Sequence, residues 1–219
     1  MRKWERYWEK VPSMFMLNEL QRAHPIRNLM AEEAKIGNDV LDVACGQCIS
    51  YSFFRMAGIK YVGIDITKKF IDSSRKVYPE IEIYEASALD IPFPDASFDT
   101  VCCKDLLEHL APEDVSTAIR EMWRVTRLKL MIAFFLPPWD KQPAISLIDG
   151  LHGTYYQNQY NERDILTVIE DLEDVGGIDI QWIRSDAAIK IRPPPGEKPY
   201  THAPLYIITK NSPDLHPSV

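Results

Sequence analysis

Short apolar runs rich in β-branched residues alternate with segments of helical periodicity between residues 36 and 136. Strands that alternate with helices in this way are typical of a parallel sheet with crossover helices. The pattern therefore predicts an α/β fold with a doubly wound sheet. Five runs predict its first strands: DVLDVA ending near Val43, YVGID ending at Asp65, IEIYEA from Ile81, FDTVCCK from Phe98 and LKLMIAFFL from Leu128.

Helical patterns fill the gaps between these strands and continue after them. Thr67 is the predicted N-cap of a helix in KKFIDSSRKVY, and Pro112 fits the first turn of PEDVSTAIREMWRV. Pro25 is expected to begin or kink a helix nearer the N-terminus. The segment NERDILTVIEDLEDVG predicts a later helix with Asn161 as its N-cap and Gly176 past its end.

The two ends of the chain add further elements. Two strand patterns, IDIQWIR and APLYIITK, are expected to pair antiparallel, which brings the sheet to about seven strands, mostly parallel. The proline-rich stretch RPPPGEKPYTH between them cannot be interior strand and predicts an exposed excursion, and residues 211–219 predict a frayed tail. Residues 1–35 predict N-terminal helices that form a lid or an added layer.

The composition is that of one folded domain, with 46% hydrophobic and 26% charged residues in 219. No apolar run approaches the roughly 18 residues that span a bilayer, so we expect no insertion into a membrane. The N-terminus, MRKWERYWEK, lacks the apolar stretch of a secretory signal, which predicts a cytoplasmic protein. The net charge of −7 opposes binding to nucleic acid, since that affinity comes largely from Lys and Arg.

Four cysteines fall in two pairs, Cys45 with Cys48 and Cys102 with Cys103. Paired cysteines also occur in zinc sites and in redox-active CxxC motifs. Cys102 and Cys103 are neighbours on a predicted strand, so their side chains point to opposite faces and cannot reach one metal ion. We therefore expect reduced thiols and no bound metal.

The stretch VLDVACGQC carries the most chemical information. Asp42 ends a buried strand, and the small residues Ala44, Cys45 and Gly46 then turn the chain into a helix, so that a ligand can approach the backbone closely. A carboxylate beneath such a loop repels the pyrophosphate of a dinucleotide and favours a ligand that carries an ammonium and a sulfonium.

Asp65 ends the second predicted strand, about 20 residues after this loop, where an acidic side chain accepts hydrogen bonds from ribose hydroxyls. Nicotinamide-binding folds place a carboxylate there too, so Asp65 indicates an adenosine ribose without choosing the cofactor. No GxGxxG follows the first strand, which disfavours a nicotinamide-dependent oxidoreductase.

Residues 36 to 136 resemble the class I S-adenosylmethionine-dependent methyltransferases, particularly those that act on small molecules. The resemblance rests on VLDVACG, YVGIDIT, EASALDIPFPDASFDTVCCKDLLEHL and EMWRVTRLKLMIAFF, in the family's order and spacing. It implies a Rossmann-like fold, S-adenosyl-L-methionine as the cofactor, and an acceptor side in residues 137–210. The resemblance implies that Asp42 and the loop of Ala44, Cys45 and Gly46 hold the methionine portion and that Asp65 holds the ribose. Ser87 and Ala88 would lie against the adenine and Lys104 beneath the methionyl group, and Ile66 is a further implied cofactor contact.

The chain departs from the family's pattern at the loop. Ala44 and Cys48 stand where the family usually has glycines, and Ser87 stands where an acid often contacts the adenine. A non-glycine residue with positive φ would be strained, so we expect a slightly different path for the loop. These changes leave open either a working binder or a methyltransferase-like binding or regulatory module without activity.

A general base would assist transfer to a hydroxyl or an ammonium, and histidine has a suitable pKa. The candidates are His109 in DLLEHL and His152 in LHGTYYQNQY; the alternatives are a helix residue hydrogen-bonded to backbone and a surface residue. The stretch LPPW, from Leu136, resembles a motif of adenine-modifying methyltransferases but follows the fifth strand instead of the fourth. The sequence predicts methyl transfer to a small-molecule acceptor, with methylation of a protein or nucleic acid as an alternative.

Overall fold

The computed structural model describes residues 7, 9, 25–150, 153–184 and 202–211. Its helices are α1 Pro25–Glu33, α2 Tyr51–Met56, α3 Lys68–Val77, α4 Val115–Val125 and α5 Glu162–Glu170. Its strands are β1 Asp39–Val43, β2 Lys60–Asp65, β3 Glu82–Glu85, β4 Phe98–Lys104, β5 Thr126–Ala133, β6 Leu147–Gly150, β7 Gly153–Tyr156, β8 Val175–Arg184 and β9 His202–Lys210.

Seven of these strands form one sheet in the order β3-β2-β1-β4-β5-β9-β8. The first five are parallel, and β9 pairs antiparallel with both β5 and β8. The predicted seven-stranded, mostly parallel, Rossmann-like sheet is therefore confirmed, including the antiparallel strand near the C-terminus. The strand order reverses between β1 and β4, and a crevice opens at the carboxyl ends of the strands at such a point.

Each face of the sheet buries its own apolar cluster, because successive strand residues point to opposite sides. Along β1, Leu41 and Val43 join the cluster covered by α4 and α5, whereas Val40 joins the cluster covered by α1, α2 and α3. Cys103 belongs to the first cluster and Cys102 to the second, as their adjacent positions predicted.

Helix α1 is fastened to the sheet by both apolar and polar contacts. Ile26 and Met30 are buried in the second cluster. The Lys129 ammonium, on β5, donates to the Glu33 backbone carbonyl at 3.1 Å and pairs with the Glu33 carboxylate. The start of this helix at Pro25 agrees with the sequence prediction. The end of this helix is consequently held by β5, an interior strand of the sheet.

Several predicted boundaries shift. Strand β3 begins at Glu82, one residue late, and β5 begins at Thr126 because α4 runs into it without a loop. Helix α5 has Asn161 as its N-cap, as predicted, with the Asn161 side-chain oxygen accepting from the amides of Arg163 and Asp164. It ends at Glu170, however, well before the predicted end.

The end predicted at Gly176 is wrong because a tight turn intervenes. Asp174 adopts a positive φ of 60°, and the chain enters β8 at Val175. Gly176 is a strand residue, and a Cβ there would lie 2.9 Å from the Asn211 side chain. The glycine therefore serves close approach to the end of β9 instead of ending the helix.

Other sequence predictions fall outside the described residues, including most of RPPPGEKPYTH, the final tail and His152. The hairpin of β6 and β7 was not predicted, because its strands have four residues each and none of these residues is buried. Among the described helices, none is long and apolar enough to cross a bilayer.

Candidate functional site

A cavity of about 470 Å³ lies at the carboxyl ends of the parallel strands. Its walls come from the segments that follow β1 to β5, together with α1, the hairpin and Tyr7. It therefore occupies the crevice that the reversal of strand order creates. Of the residues predicted to contact a cofactor or substrate, the cavity is lined by Ala44, Cys45, Gly46, Asp65, Ile66, Ser87, Ala88 and His109.

Three residues of the loop after β1 have a left-handed backbone conformation, and two of them are not glycine. Ala44 and Cys48 have φ angles of 56° and 55°, and Gly46 has 55°. Ala44 and Cys48 therefore adopt the left-handed conformation themselves, and the expected difference in the path of the loop stays a prediction. The strain of the two non-glycine residues is offset by backbone hydrogen bonds, since the Cys45 amide donates to the Ile64 carbonyl at 3.0 Å.

The Asp65 carboxylate connects this loop to the end of β2. One oxygen accepts from the Gly46 amide and the other from the Thr67 amide, each at 2.8 Å. Burial raises the pKa of Asp65, and the two amides oppose that rise. Thr67 holds the N-cap position of α3 but makes no side-chain capping bond. Each carboxylate oxygen has a further lone pair, so Asp65 can also accept hydrogen bonds from a ligand.

Asp42 lies behind the loop, outside the set of cavity-lining residues. It is only 3% exposed and accepts hydrogen bonds from the Tyr61 hydroxyl at 2.8 Å and the Cys102 thiol at 3.6 Å. Burial raises its pKa, and the Tyr61 hydrogen bond and the Arg27 guanidinium oppose that rise. Lys104 also lies outside the lining and pairs with Asp105. Direct contact of Asp42 or Lys104 with a ligand stays a prediction.

The wall after β3 is mostly apolar. Ala88 and Ile66 line it together with Phe70 of α3, which the sequence analysis did not single out. The Ser87 hydroxyl accepts from the Leu89 amide at 3.1 Å. A surface of this kind can hold a flat apolar ring, with the serine hydroxyl as a polar group at its edge.

His109 lies on the opposite side, in a single 3-10 turn at Leu107–His109 after β4. Its Nδ1 atom is 2.8 Å from the Tyr156 carbonyl on β7. Because a carbonyl oxygen only accepts, Nδ1 carries the proton in the neutral ring, and Nε2 then has the lone pair. Burial lowers the pKa of His109, which favours this neutral form. His152 lies outside the described residues, so its role stays a prediction.

Several cavity residues have no motif that would reveal them. Arg27 comes from α1, and Tyr155 and Gln157 come from the hairpin and the segment after it. Tyr7 also lines the cavity and stacks on Tyr155, with ring centroids 4.4 Å apart. Tyr7 belongs to residues 1–35, for which the sequence predicts helices, but that prediction does not specify Tyr155 as its partner. Their assembly depends on tertiary contacts, so spacing in the sequence does not indicate it.

Glu108 joins the turn after β4 to the segment after β5. Its side chain is fully buried and one oxygen accepts from the Phe135 amide and, at 3.3 Å, from the Leu136 amide. The other oxygen has no hydrogen-bond partner among the described residues. Burial, together with the nearby Asp105 carboxylate, raises the pKa of Glu108 to about 8. Glu108 is therefore largely protonated at neutral pH.

The two cysteines of the loop lie close to each other, and burial suppresses their reactivity. The Cys45 and Cys48 sulfur atoms are 3.6 Å apart, and both thiols are free. Burial raises the pKa of Cys45 well above its ordinary value, which suppresses the reactive thiolate. A Cβ at Gly63 would lie 2.9 Å from the Cys45 sulfur, so glycine in β2 makes room for the loop. No group of three or more potential metal ligands occurs among the described residues.

A family model for a methyltransferase domain matches residues 41–131 of the chain. This range includes the loop after β1, Asp65, Ser87 and His109. It excludes α1 and the hairpin, which supply Arg27 and Tyr155 to the cavity. The matched range therefore covers the cofactor loop predicted from the sequence and residues on two opposite sides of the cavity.

Similar proteins share this region. A probable S-adenosylmethionine-dependent methyltransferase of Mycobacterium tuberculosis is 26% identical over 117 residues, covering 53% of this chain and 42% of its own. A demethylmenaquinone methyltransferase of Beutenbergia cavernae is 30% identical over 127 residues, covering 57% of this chain and 50% of its own. The chain thus spans about half the length of the curated relatives it matches.

A solved structure extends the similarity of fold over nearly the whole chain. The 1,6-didemethyltoxoflavin-N1-methyltransferase of Burkholderia thailandensis, with bound S-adenosylhomocysteine, superposes with a TM-score of 0.62. The match covers 91% of this chain and 82% of that one at 14% sequence identity. At that identity the likeness concerns the fold.

The positive φ at Ala44 predicts that glycine there stabilises the protein. Ala44→Gly is expected to raise the free energy of unfolding by up to about 1 kcal/mol, because the left-handed strain exceeds the entropy that glycine loses on folding. Ala57, with a φ of −78°, is the matched control, and Ala57→Gly should lower stability by about 0.5–1 kcal/mol. Urea unfolding measures both; equal destabilisation by the two changes would contradict the strain.

The raised pKa of Glu108 predicts a loss of stability with rising pH. Between the pKa of the unfolded chain, near 4.5, and about 8, the folded protein holds a proton that the unfolded protein has lost, so each rise in pH favours unfolding. In Glu108→Gln the amide oxygen can still accept the hydrogen bonds of the two backbone amides, but the side chain does not titrate between pH 5 and pH 8. Its stability relative to wild type should increase from pH 5 to pH 8, on the order of 2–4 kcal/mol. Parallel urea curves across this range would refute the shift.

Proposed function

We propose that this chain is a class I S-adenosylmethionine-dependent methyltransferase that binds S-adenosyl-L-methionine in the cavity and transfers its methyl group to a small-molecule acceptor. The observation that carries this proposal is the hydrogen bond from the Gly46 amide to the Asp65 carboxylate. It joins an acidic strand end to a loop of small residues on the wall of one cavity. Relatives named for small acceptors support the same class of substrate.

The residues present fit this cofactor. The Asp65 carboxylate would accept from the ribose hydroxyls, and the apolar wall formed by Ile66, Phe70 and Ala88 would hold the adenine, with the Ser87 hydroxyl at its edge. The loop from Ala44 to Gly46 would lie along the methionine portion. Asp42 would act through the loop by its charge, and Lys104 would lie near the same end of the cavity.

The chemistry requires little covalent help from the protein. When bound, S-adenosylmethionine supplies a methyl group already activated by its positive sulfur. The cavity walls hold an acceptor in place, which accounts for most of the acceleration through proximity and orientation. The lining around His109 includes the side chains of Leu106, Leu110, Phe135 and Tyr155, so an acceptor with an apolar ring fits best.

His109 is the candidate general base. The Tyr156 carbonyl fixes the Nδ1 proton, and the lone pair on Nε2 can accept a proton from a hydroxyl or an N–H of the acceptor. The alternative interpretation of His109 expected a hydrogen bond to the backbone, and this hydrogen bond is present. It is compatible with catalysis, because it holds the proton on Nδ1 and leaves Nε2 as the acceptor. The net charge of −7 supports a small acceptor over nucleic acid.

Binding of S-adenosylhomocysteine tests the proposed cofactor. Isothermal calorimetry on the wild-type chain should detect binding of S-adenosylhomocysteine and none of NAD. Asp65→Asn should weaken that binding by about 10- to 100-fold, because an amide nitrogen would replace a charged acceptor. Asp179→Asn on exposed β8 serves as the control and should leave it unchanged. Absence of heat with folded wild-type protein would refute the proposed function.

A role for His109 in proton transfer predicts a specific loss of rate. His109→Asn should slow methyl transfer by about 10²–10⁴-fold while S-adenosylhomocysteine still binds normally. Because the pKa of His109 is lowered, wild-type activity should fall only below pH 6.5, and this acid limb should vanish in the variant. Tritium transfer from labelled S-adenosylmethionine to a panel of hydroxylated ring compounds measures both effects.

The control for this experiment is His202→Asn on β9, outside the cavity-lining set. Its rate and pH profile should match those of the wild type. An acid limb that persists in His109→Asn with a nearly normal rate would assign the proton transfer elsewhere.

A further inference from the structure

We infer that Gln157 and His109 together select an acceptor ring that carries a reactive O–H or N–H group beside a carbonyl oxygen. His109 meets the group that loses its proton, and Gln157 donates a hydrogen bond to the carbonyl oxygen. This inference rests on the proposed function and names the class of substrate for the same cavity, which both side chains line. Gln157 lies outside the segment that the methyltransferase family model matches.

Gln157 is held next to His109 by backbone hydrogen bonds. The Nδ1 atom of His109 donates at 2.8 Å to the carbonyl of Tyr156, and that carbonyl belongs to the peptide group that leads into Gln157. On the other side of Gln157, the Asn158 amide donates to the Glu108 carbonyl at 2.9 Å. Two consecutive residues of the turn after β4 therefore fix the chain on both sides of Gln157.

The side chain of Gln157 presents a hydrogen-bond donor to the cavity. Its Oε1 atom accepts from the Tyr155 hydroxyl at 3.3 Å, and Tyr155 is itself stacked on Tyr7. Because the oxygen is engaged in this way, the amide nitrogen is the group left for a ligand. Among the described residues, this nitrogen is not one of the fully buried polar atoms that lack a partner, so it keeps access to the cavity.

A carbonyl beside the reactive group complements this pair of side chains. The Gln157 N–H group requires an acceptor, and a carbonyl oxygen provides one. Burial lowers the pKa of His109, so this base is weak and is best matched by an acidic O–H or N–H. As the proton passes to Nε2 of His109, its electron pair stays on the ring, and conjugation places part of the negative charge on the carbonyl oxygen. Gln157 donates to that oxygen and stabilises the developing charge.

Charge favours a carbonyl over a carboxylate at this position. Gln157 is neutral, and the Asp105 carboxylate also lines the cavity, near enough to oppose in part the effect of burial on the pKa of His109. A second carboxylate would be repelled there, whereas a carbonyl carries only a partial charge. The rest of the ring would pack on apolar side chains of the lining, which include Leu106, Leu110 and Phe135.

Binding of small rings to the protein loaded with S-adenosylhomocysteine tests this selection without turnover. Three probes of similar size separate the contacts: tropolone has a hydroxyl beside a carbonyl, tropone has the carbonyl alone, and phenol has the hydroxyl alone. By calorimetry, the wild-type protein should bind tropolone about 5- to 10-fold more tightly than either of the others, because each of them lacks one of the two hydrogen bonds.

Substitution of Gln157 should remove one part of this preference. In Gln157→Leu, tropolone should lose its advantage over phenol, while S-adenosylhomocysteine binds as in the wild type. Gln157→Glu keeps an oxygen for the Tyr155 hydroxyl but replaces the donor with a second acceptor, so it should weaken tropolone at least as much. Gln142→Leu changes an exposed glutamine outside the cavity-lining set and should alter none of the affinities.

The outcomes separate this inference from the proposed function. A preference for tropolone over phenol that persists in Gln157→Leu would assign the carbonyl contact to another group and overturn the inference. Equal or undetectable binding of the three rings to loaded wild-type protein would overturn it too. If Gln157→Leu is unfolded by circular dichroism, Gln157→Glu decides the same comparison. Wild-type protein that does not bind S-adenosylhomocysteine would overturn the proposed function itself.

Discussion

The carboxylate of Asp65 is the constraint on which the site depends. It accepts the Gly46 amide with one oxygen and the Thr67 amide with the other, so it fixes the loop after β1 and the start of α3 at once. Without this bridge, the left-handed residues Ala44 and Cys48 would have fewer contacts to offset their strain. A rigid loop in turn determines where a ligand can approach the backbone. The Asp65 side chain therefore contributes both to the fold and to the proposed activity.

The opposite side of the cavity is built by a second set of buried polar contacts. Glu108 binds the amides that follow β5, and its neighbour His109 is oriented by the Tyr156 carbonyl of the hairpin. These interactions join three segments that are distant in the sequence. Burial favours the neutral forms of both side chains, so neither His109, which lines the cavity, nor Glu108, which lies behind it, adds a full charge on the side where an apolar acceptor would lie.

Elements outside the matched methyltransferase range complete the cavity. Arg27 enters from α1, and Tyr7 stacks on Tyr155 of the hairpin. Glu9 accepts from the Lys68 amide at the start of α3, so a second contact joins the N-terminal segment to the cofactor side. Relatives that share the central range need not share these contacts, which makes these residues the natural place for differences in ligand recognition.

The amino-acid sequence by itself determined the order of strands and helices in the core, the acidic strand ends at Asp42 and Asp65, and the small-residue loop between them. These features are local, because periodicity and turn chemistry act over a few residues. The tertiary structure decided which side chains face the cavity. The Asp42 side chain lies behind the loop, where it accepts a hydrogen bond from the Tyr61 hydroxyl. Arg27 lines the cavity from a helix that carries no recognisable motif. Which side chains face the cavity depends on packing between segments far apart in the chain, and residue spacing along the sequence does not predict that packing.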